Sequence, residues 1–365
     1  MGRRRMSHKV VLVANVHNPV PTWVDTKFAN AGINYVYHEC YNRQDLEAYA
    51  ADADVVWFMA SREGLVVEET MDVFPKLGAV VKCGSGTDNI DHAACTKRGI
   101  VIAHTPEDVT DPTSDHCIAM LFTAVRQTAR QDRLVRQGQW EPRAALPIGR
   151  LSGADIGIIG FGRIGKAVVR KLAGFRMRVR VHDPYVDIAA IEAEGAAKVS
   201  LDDLLSRSQY VLVTCPLTAE TQGLLGEREL ALMRTDSVLV NCARAGIVDE
   251  TALAKALERR QIMAAALDVL CEHPLAPPND LYALENVNFT PHMGGHPSNY
   301  PDALFINPVA VILELFAGHM PRWIANAGVI PKWHLTKGQD AEANAEKPAL
   351  PETGHRGEGL RDGPK

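Results

Sequence analysis

The chain has 365 residues, of which 46% are hydrophobic and 23% are charged, and its formal net charge at pH 7 is −5. A chain of this length exceeds what one hydrophobic core usually supports, so two domains are predicted. The composition is typical of a soluble globular protein. The small negative charge gives no reason to expect nucleic acid or an anionic membrane as a partner.

Hydropathy and cysteine usage exclude two further classes of protein. The apolar run over residues 10–16 is far shorter than the ~18 residues of a spanning helix, and it lacks the features of a signal peptide. We therefore expect a cytoplasmic protein. The seven cysteines are scattered without a CxxC pair, which predicts neither a disulfide framework nor a metal site.

The first hundred residues alternate short apolar runs with helical patterns. The runs are rich in valine and bounded by Gly, Asp or Pro, as buried parallel strands are. The candidate strands are Lys9–Ala14, Asp54–Met59, Gly78–Lys82 and Ile100–Ala103, and the candidate helices include Thr22–Ala31 and Glu68–Phe74. This alternation predicts an α/β layer with a parallel sheet.

A long helix is predicted next, beginning near Asp111-Pro112-Thr113 and running toward Gly138. Asp or Thr can cap such a helix, and Pro is tolerated in the first turn. A helix of this length often links domains or packs at an oligomer interface.

A second and clearer alternation follows. Its candidate strands are Asp155–Ile159, Met177–Val181, Tyr210–Thr214, Ser237–Asn241, Ala264–Val269 and Val287–Thr290, and its candidate helices include Ile164–Leu172, Glu227–Met233 and Glu250–Arg259. Six strands with crossovers are what a doubly wound dinucleotide-binding fold requires. The Ala/Glu/Pro/Gly-rich segment 336–365 is predicted to be a disordered tail.

A glycine motif stands between the first strand and first helix of this second alternation. Residues Gly160-Phe161-Gly162-Arg163-Ile164-Gly165 form a G-x-G-x-x-G. In this strand–turn–helix context Gly160 permits the tight turn, Gly162 lets the backbone approach a pyrophosphate, and Gly165 allows the helix to pack closely on the strand. The free N–H groups at the helix start would bind the phosphates.

Asp183 lies eighteen residues beyond Gly165, at the end of the next candidate strand. A carboxylate at this place accepts hydrogen bonds from the adenosine ribose and repels a 2′-phosphate. The sequence therefore favours NAD over NADP, although Asp183-Pro184 alone would also suit a simple turn.

Three segments at the ends of later candidate strands complete a series of ordered motifs: NCARAGIVDE (241–250), ALDVLCEHP (266–274) and NFTPHMGG (288–295). Together with IGFGRIG, CGSGTDNID (83–91), HDPY (182–185) and CPLTAETQGLL (215–225), they resemble the D-isomer-specific 2-hydroxyacid dehydrogenase family. The resemblance extends to about residue 331. It implies an enzyme that transfers a hydride between NAD and a small D-2-hydroxy acid or 2-oxo acid.

The resemblance also implies roles for individual residues. Arg244 would hold the substrate carboxylate and polarise the carbonyl, and His292 would be the acid/base. Backbone N–H groups of Gly84, Ser85 and Gly86 would cradle the carboxylate, with help from Lys82, and Asp268 would border the nicotinamide. The positions expected to contact the cofactor are Gly160, Gly162, Arg163, Ile164, Gly165, Asp183, Cys215, Pro216, Cys242, Ala243, Asp268, His292 and Gly294.

The family pattern is broken where a glutamate usually orients the catalytic histidine. That position holds His273, directly after Glu272. Two hypotheses follow: Glu272 reaches the site through a shift of the loop, or a neutral His273 holds His292 by one hydrogen bond and leaves it with a lower pKa. Either residue is therefore a candidate member of the catalytic set.

A few residues outside the shared motifs are candidates for substrate specificity. Ser61 and Arg62 follow a strand of the first alternation and would face the far end of the substrate, which suggests a hydroxyl-bearing or anionic end group. His296, Asn299 and Tyr300 follow the catalytic histidine and suit either a specificity role or a plain loop.

The implied fold is two Rossmann-like or flavodoxin-like doubly wound lobes with a cleft between them. The substrate domain would comprise residues 7–106 completed by 293–335, and the NAD-binding domain residues 107–292. The resemblance further implies a homodimer built around 111–150. Two alternatives remain: a formate- or phosphite-type dehydrogenase on the same fold, and an NAD-sensing binding protein like the related corepressors.

Overall fold

A computed structural model of the chain describes residues 8–15, 19–141, 143, 147–271, 280–297 and 302–337. Within these ranges the backbone forms a five-stranded sheet, a seven-stranded sheet and a pair of two-residue strands. We call the five-stranded sheet with its helices the first lobe, and the seven-stranded sheet with its helices the second lobe.

The first lobe is an open parallel sheet. Its elements are β1 (His8–Ala14), α1 (Thr22–Asn30), β2 (Ile33–Tyr37), α2 (Arg43–Tyr49), β3 (Val55–Phe58), a 3-10 helix (Glu68–Val73), β4 (Ala79–Cys83), α3 (His92–Lys97) and β5 (Val101–Thr105). The strand order is β2-β1-β3-β4-β5, and every pair is parallel. The order reverses beside β1, so ligand-binding loops are expected at the carboxyl ends of β1, β3 and β4.

The chain leaves the first lobe through α4 (Glu107–Arg126), which is followed by α5 (Thr128–Arg136). The predicted start at Asp111 is wrong, because α4 begins four residues earlier and carries Pro112 inside it. The predicted single helix is also wrong, because Gln127 adopts a left-handed conformation (φ 52°) that ends α4 before α5 begins. Pro112 is the sixth residue of α4 and has no N–H to donate to the carbonyl of Asp108, so the helix lacks one backbone hydrogen bond there.

The second lobe contains the larger sheet. Its elements are β6 (Asp155–Ile159), α6 (Arg163–Leu172), β7 (Arg178–His182), α7 (Ile188–Glu192), β8 (Ala197–Lys198), α8 (Leu201–Arg207), β9 (Tyr210–Val213), α9 (Glu227–Leu232), β10 (Val238–Asn241), α10 (Glu250–Glu258), β11 (Ala264–Leu267), α11 (Asp280–Ala283) and β12 (Val287–Phe289). The strand order is β12-β11-β10-β9-β6-β7-β8. The order reverses between β6 and β9, so the switch point lies beside the glycine motif.

After β12 the chain returns to the first lobe. Helix α12 (Asp302–Phe316) packs against β4 and β5 with Leu304, Phe305, Val309 and Ile312 in the core. The short strands β13 (His319–Met320) and β14 (Thr336–Lys337) follow it. The first lobe is therefore built from two separate stretches of sequence.

Both faces of the first sheet are buried, which explains the unbroken apolar runs. Along β1, Val11 and Val13 belong to the core on one face, while Val10 and Leu12 belong to the core on the other. Trp57 on β3 is fully buried in this second core, against Phe28 and Phe305. Strands covered on both sides by helices need apolar side chains at every position.

Side-chain caps start several of the helices. Asn42 accepts a hydrogen bond from the Asp45 N–H at the start of α2, and Asp249 accepts one from Ala252 at the start of α10. Asp91 and Ser200 do the same for α3 and α8. Each cap satisfies a backbone donor that a helix start otherwise leaves free.

The predicted fold class, two doubly wound parallel-sheet lobes, is confirmed. All ten candidate strands are present with shifts of one or two residues, and Asp155–Ile159 matches at both ends. The helix predicted over Glu68–Phe74 is a 3-10 helix instead. Strands β2 and β8 were not predicted, because β2 is only partly buried and β8 has two residues.

Among the described residues no helix is both long enough and apolar enough to cross a membrane. Six of the seven cysteines are free and buried, whereas Cys271 is exposed. These six cysteines therefore act as small buried hydrophobic residues.

Candidate active site

The glycine motif forms a turn that other residues would not fit. Gly160 has φ 92°, and a Cβ atom there would lie 2.5 Å from the backbone nitrogen of Cys215. A Cβ on Gly165 would lie 2.5 Å from the carbonyl oxygen of Gly160. Helix α6 can therefore pack against β6 and β9 only because both positions are glycine.

Gly162, in contrast, faces open space. A Cβ on Gly162 would meet no atom within 4 Å, and this residue is the N-cap of α6 without any side-chain cap. The first N–H groups of α6 are thus left for a ligand, and the helix dipole favours an anion there. Arg163 adds a cation at the same place, with its guanidinium 3.8 Å from the ring of Trp323 in the first lobe. These features fit a dinucleotide pyrophosphate.

Asp183 follows β7 and lies beside the glycine turn. Its carboxylate accepts hydrogen bonds from the N–H groups of Phe161 (2.7 Å), Tyr185 (2.9 Å) and Val186 (3.1 Å). Asp183 therefore stabilises a turn, which is the simpler of its two predicted roles. It also places a negative charge next to the glycine turn, which its predicted role in cofactor binding requires.

Arg244 follows β10 and reaches across the cleft to the first lobe. Its Nε and Nη2 atoms each lie 3.0 Å from an oxygen of Asp88, while Nη1 donates to the Ala243 carbonyl at 2.8 Å. A Cβ on Gly86 would lie 1.5 Å from Nη2, so the guanidinium rests directly on the backbone of this loop. Both side chains of the ion pair are one-quarter exposed.

The charge of Arg244 dominates the electrostatics of this loop. Burial raises the pKa of Asp88, but the hydrogen bonds and charge of Arg244 outweigh burial and lower its pKa overall. Lys82, at the end of β4, is buried and donates to the Cys83 carbonyl at 3.0 Å. Burial lowers the pKa of Lys82 to about 8. Lys82 therefore lies under the loop and not in the open cleft.

The N–H groups of the loop after β4 differ in what they bind. Gly84 (φ 86°) donates to the Thr105 hydroxyl at 3.1 Å, so its N–H does not point at a free carboxylate site. Within the described ranges the N–H groups of Ser85 and Gly86 donate no hydrogen bond. Of the three predicted cradle residues, Ser85 and Gly86 are therefore the ones with donors available.

His292 and Asp268 occupy the ends of the next two strands of the same sheet. His292 has φ 56°, a conformation uncommon for a residue with a side chain, and its N–H donates to the carbonyls of Asp268 (2.8 Å) and Thr290 (3.0 Å). The Asp268 carboxylate accepts from Met293 N–H (2.8 Å) and Gly294 N–H (2.9 Å). Asp268 thus holds the backbone of His292 and of the two residues after it.

The Asp268 carboxylate is only 1% exposed, and burial raises its pKa. The hydrogen bonds from His116, Thr290 and the two backbone N–H groups outweigh this effect and lower the pKa overall. A buried carboxylate with this many donors remains charged at neutral pH.

The candidate specificity residues divide into three groups. Arg62 pairs with Glu39 at 2.6 Å, donates to the Cys40 carbonyl and lies 4.2 Å from the ring of Tyr41, whereas Ser61 is exposed. His296 is partly buried, and burial lowers its pKa. Asn299 and Tyr300 lie outside the described residues, as do Glu272 and His273, the two candidate members of the catalytic set.

Four further cofactor candidates follow strands of the second sheet. Cys215 and Pro216 follow β9, where Cys215 lies beside Gly160, and Cys242 and Ala243 follow β10. Asp88, His116 and Trp323 were not among the candidate residues, although each contacts one. Asp88 stands inside the quoted loop motif and could have been found there; His116 and Trp323 carry no signal in the sequence.

Comparisons with known proteins agree with this arrangement. Residues 118–294 match the model of the D-isomer specific 2-hydroxyacid dehydrogenase, NAD binding domain. The chain is 34% identical over 295 residues to a glyoxylate reductase of Pyrococcus furiosus, covering 79% of this chain and 87% of that protein. It is 39% identical over 225 residues to a D-3-phosphoglycerate dehydrogenase of Archaeoglobus fulgidus, covering 62% of this chain and 42% of that longer protein.

Among solved structures, an NADPH-dependent glyoxylate/hydroxypyruvate reductase from Sinorhizobium meliloti superposes with a TM-score of 0.73 at 26% identity, covering 87% of this chain and 97% of that one. Doubly wound lobes with a glycine turn at a switch point are typical of dinucleotide-binding α/β proteins. The chain belongs to the D-isomer-specific 2-hydroxyacid dehydrogenase family and is an oxidoreductase of 2-hydroxy acids.

Proposed function

We propose that this enzyme transfers a hydride between NAD and a small D-2-hydroxy acid or 2-oxo acid, with Arg244 binding the substrate and His292 as the acid/base. The observation that carries this proposal is the position of Arg244. It extends from the second lobe and lays its guanidinium on the Gly86 backbone of the first lobe. A residue that spans the cleft can hold a substrate between the two lobes.

The contact of Arg244 with Asp88 supports its role as a carboxylate receptor. The Nε and Nη2 edge already binds one carboxylate in a two-pronged manner. A substrate carboxylate would use the same edge, together with the N–H groups of Ser85 and Gly86. Arg244 keeps its charge at any ordinary pH, so it can also polarise the adjacent carbonyl.

When bound, the nicotinamide supplies or takes up the hydride. In the reduction, the carbonyl double bond of the 2-oxo acid opens as a C–H bond forms, and His292 gives its proton to the oxygen to make the hydroxyl group. In the oxidation, His292 takes that proton back. Two hypotheses stand for the residue that orients the imidazole, Glu272 or a neutral His273, both of which lie outside the described ranges.

The cofactor assignment rests on Asp183. Its carboxylate is held by three backbone N–H groups beside the glycine turn, and a fixed negative charge there opposes a 2′-phosphate. We expect kcat/KM to favour NADH over NADPH by at least about tenfold. An Asp183→Ser variant should lose most of this preference, and equal use of both cofactors by the parent enzyme would refute the NAD assignment.

The proposal includes the domain boundaries and the assembly. Residues 7–106 with 293–335 would form the substrate domain, and residues 107–292 the NAD-binding domain. A homodimer built on α5 and the segment after it is supported by two exposed apolar side chains, Val135 and Trp140, of which Trp140 is 84% exposed. Large exposed apolar groups of this kind often mark a protein interface.

The direct test is NADH oxidation with a panel of 2-oxo acids: glyoxylate, pyruvate, hydroxypyruvate and longer acids. We expect turnover with at least one of them and a loss of about 10²-fold or more in kcat/KM for Arg244→Ala. The matched control is Arg234→Ala, since Arg234 forms a surface ion pair with Asp236 in the same lobe. Turnover of formate with NAD alone would support the formate-type alternative, and cofactor binding without turnover would support the sensor.

A further inference from the structure

We propose that His116, on helix α4, is a positioning residue that fixes the backbone of the catalytic loop 290–294 through Asp268. The expected effect on kcat rests on the proposed role of His292, whereas the expected effect on the structure of the loop 290–294 does not. It gives α4 a part in building the active site, in addition to linking the two lobes.

The contact is direct. His116 Nε2 lies 2.9 Å from the Thr290 hydroxyl oxygen and 3.2 Å from Oδ1 of Asp268. The imidazole side chain is one-fifth exposed, whereas the Asp268 side chain is 1% exposed. In a site so poorly hydrated, each hydrogen bond to the carboxylate contributes more than it would at the surface.

The hydrogen-bond network fixes which atom carries the proton. The Thr290 hydroxyl lies 2.6 Å from Asp268 Oδ1 and must donate its single proton there, since an ionised carboxylate can only accept. The Thr290 oxygen therefore acts as an acceptor toward His116. It follows that Nε2 of His116 carries a proton in either charge state of the ring.

His116 differs from the other donors to Asp268 in its origin. Thr290, Met293 and Gly294 all belong to the loop that the carboxylate organises, whereas His116 comes from a separate helix. It therefore anchors the loop to α4. Without it, Thr290 and Asp268 each lose a hydrogen bond in a buried place, and the loop is free to rearrange.

A rearrangement of this loop would affect His292 directly, because the loop holds the backbone of His292 in the left-handed region at φ 56°. Histidine tolerates this conformation better than most residues, but it still costs free energy, which surrounding contacts must offset. The Asp268 carbonyl accepts the His292 N–H, and the Asp268 carboxylate accepts the next two N–H groups. Loosening Asp268 would thus turn the imidazole away from the position that proton transfer needs.

The experiment compares His116→Phe, which keeps the ring volume, with His116→Gln, whose amide nitrogen can replace Nε2. Hydrogen–deuterium exchange of peptides covering 290–294 is the first readout. We expect exchange at least tenfold faster in His116→Phe and close to the parent in His116→Gln. The control is Asp115→Asn on the same helix, where Asp115 pairs with Lys171 of α6; it should exchange like the parent.

Kinetics with the best 2-oxo acid is the second readout. We expect kcat to fall at least tenfold in His116→Phe while the KM of the 2-oxo acid changes less than threefold, since Arg244 is untouched. His116→Gln should recover kcat to within threefold of the parent. If His116→Phe does not fold, His116→Asn, whose shorter amide does not reach Thr290, takes its place.

The two readouts separate this inference from the proposed function. If no 2-oxo acid is turned over by the parent enzyme, the proposed function fails, and the exchange experiment still decides the role of His116. Parental exchange rates at 290–294 in His116→Phe would overturn the inference. The inference would also be overturned if His116→Gln showed the same fast exchange at 290–294 and the same low kcat as His116→Phe.

Discussion

At the scale of single residues, the most consequential contact is the one between Arg244 and Asp88. In the proposed function Arg244 binds a substrate carboxylate, yet the same edge of its guanidinium already holds a carboxylate of the protein. The substrate therefore competes with Asp88 or meets a receptor whose charge is partly neutralised. The sequence motifs identified the two loops that contain Asp88 and Arg244. They did not predict that these residues pair, because the two are 156 positions apart.

This competition leads to a prediction for Asp88→Asn. The variant keeps an oxygen acceptor for Arg244 but removes a negative charge near the substrate carboxylate. We expect the KM of the 2-oxo acid to fall by about threefold to tenfold while kcat changes little, as expected for a half-buried charge a few ångströms away. Steady-state kinetics at constant ionic strength would measure this.

The control is Asp72→Asn, which removes a surface partner of Arg43 in the same lobe and should leave KM unchanged. A higher KM together with a lower kcat in Asp88→Asn would contradict the prediction. That result would mean that Asp88 orients Arg244 for the substrate and does not compete with it.

At the scale of secondary-structure elements, α4 is where sequence and structure differ most. Pro112 suggests a first turn near Asp111, whereas the helix already starts at Glu107. The additional turn brings Asp108 against α12, where its carboxylate accepts a hydrogen bond from Asn307. The start of α4 thus contacts an element nearly 200 residues later in the chain. No feature of the local sequence predicts such a contact.

Asp108 gives α4 a pH-dependent contribution to stability. Burial raises its pKa to about 6, and its Oδ2 atom is buried without a hydrogen-bond partner among the described residues. The folded state therefore holds a proton that the unfolded chain releases near pH 4. The resulting stabilisation is complete below about pH 4 and is lost as the pH rises through about 6.

Asp108→Asn should remove this loss of stability at higher pH, because the amide does not ionise. The free energy of unfolding of the variant, relative to the parent, should rise by about 1–2 kcal/mol between pH 5 and pH 8. Urea unfolding at the two pH values measures it, with Glu107→Gln as the control on the neighbouring exposed residue. A difference that does not change with pH would show that Asp108 ionises normally in the folded protein.

At the scale of the whole molecule, the sequence predicted what depends on local pattern. The β6–turn–α6 unit could be read residue by residue, because strand periodicity and three glycines at fixed spacing constrain it. The contacts between parts of the molecule could not be predicted in this way. Arg163 against Trp323 and His116 against Asp268 depend on how the two lobes and α4 pack, and each joins residues more than a hundred positions apart.

The left-handed backbone of His292 has an evolutionary consequence. Glycine, asparagine, aspartate and histidine tolerate this conformation better than other residues do, and β-branched residues tolerate it least. A descendant of this gene that lost its chemistry but kept its fold would be expected to carry Gly, Asn or Asp at position 292, and seldom Val or Ile. The backbone thus limits which residues can replace the proposed acid/base after selection for activity has ended.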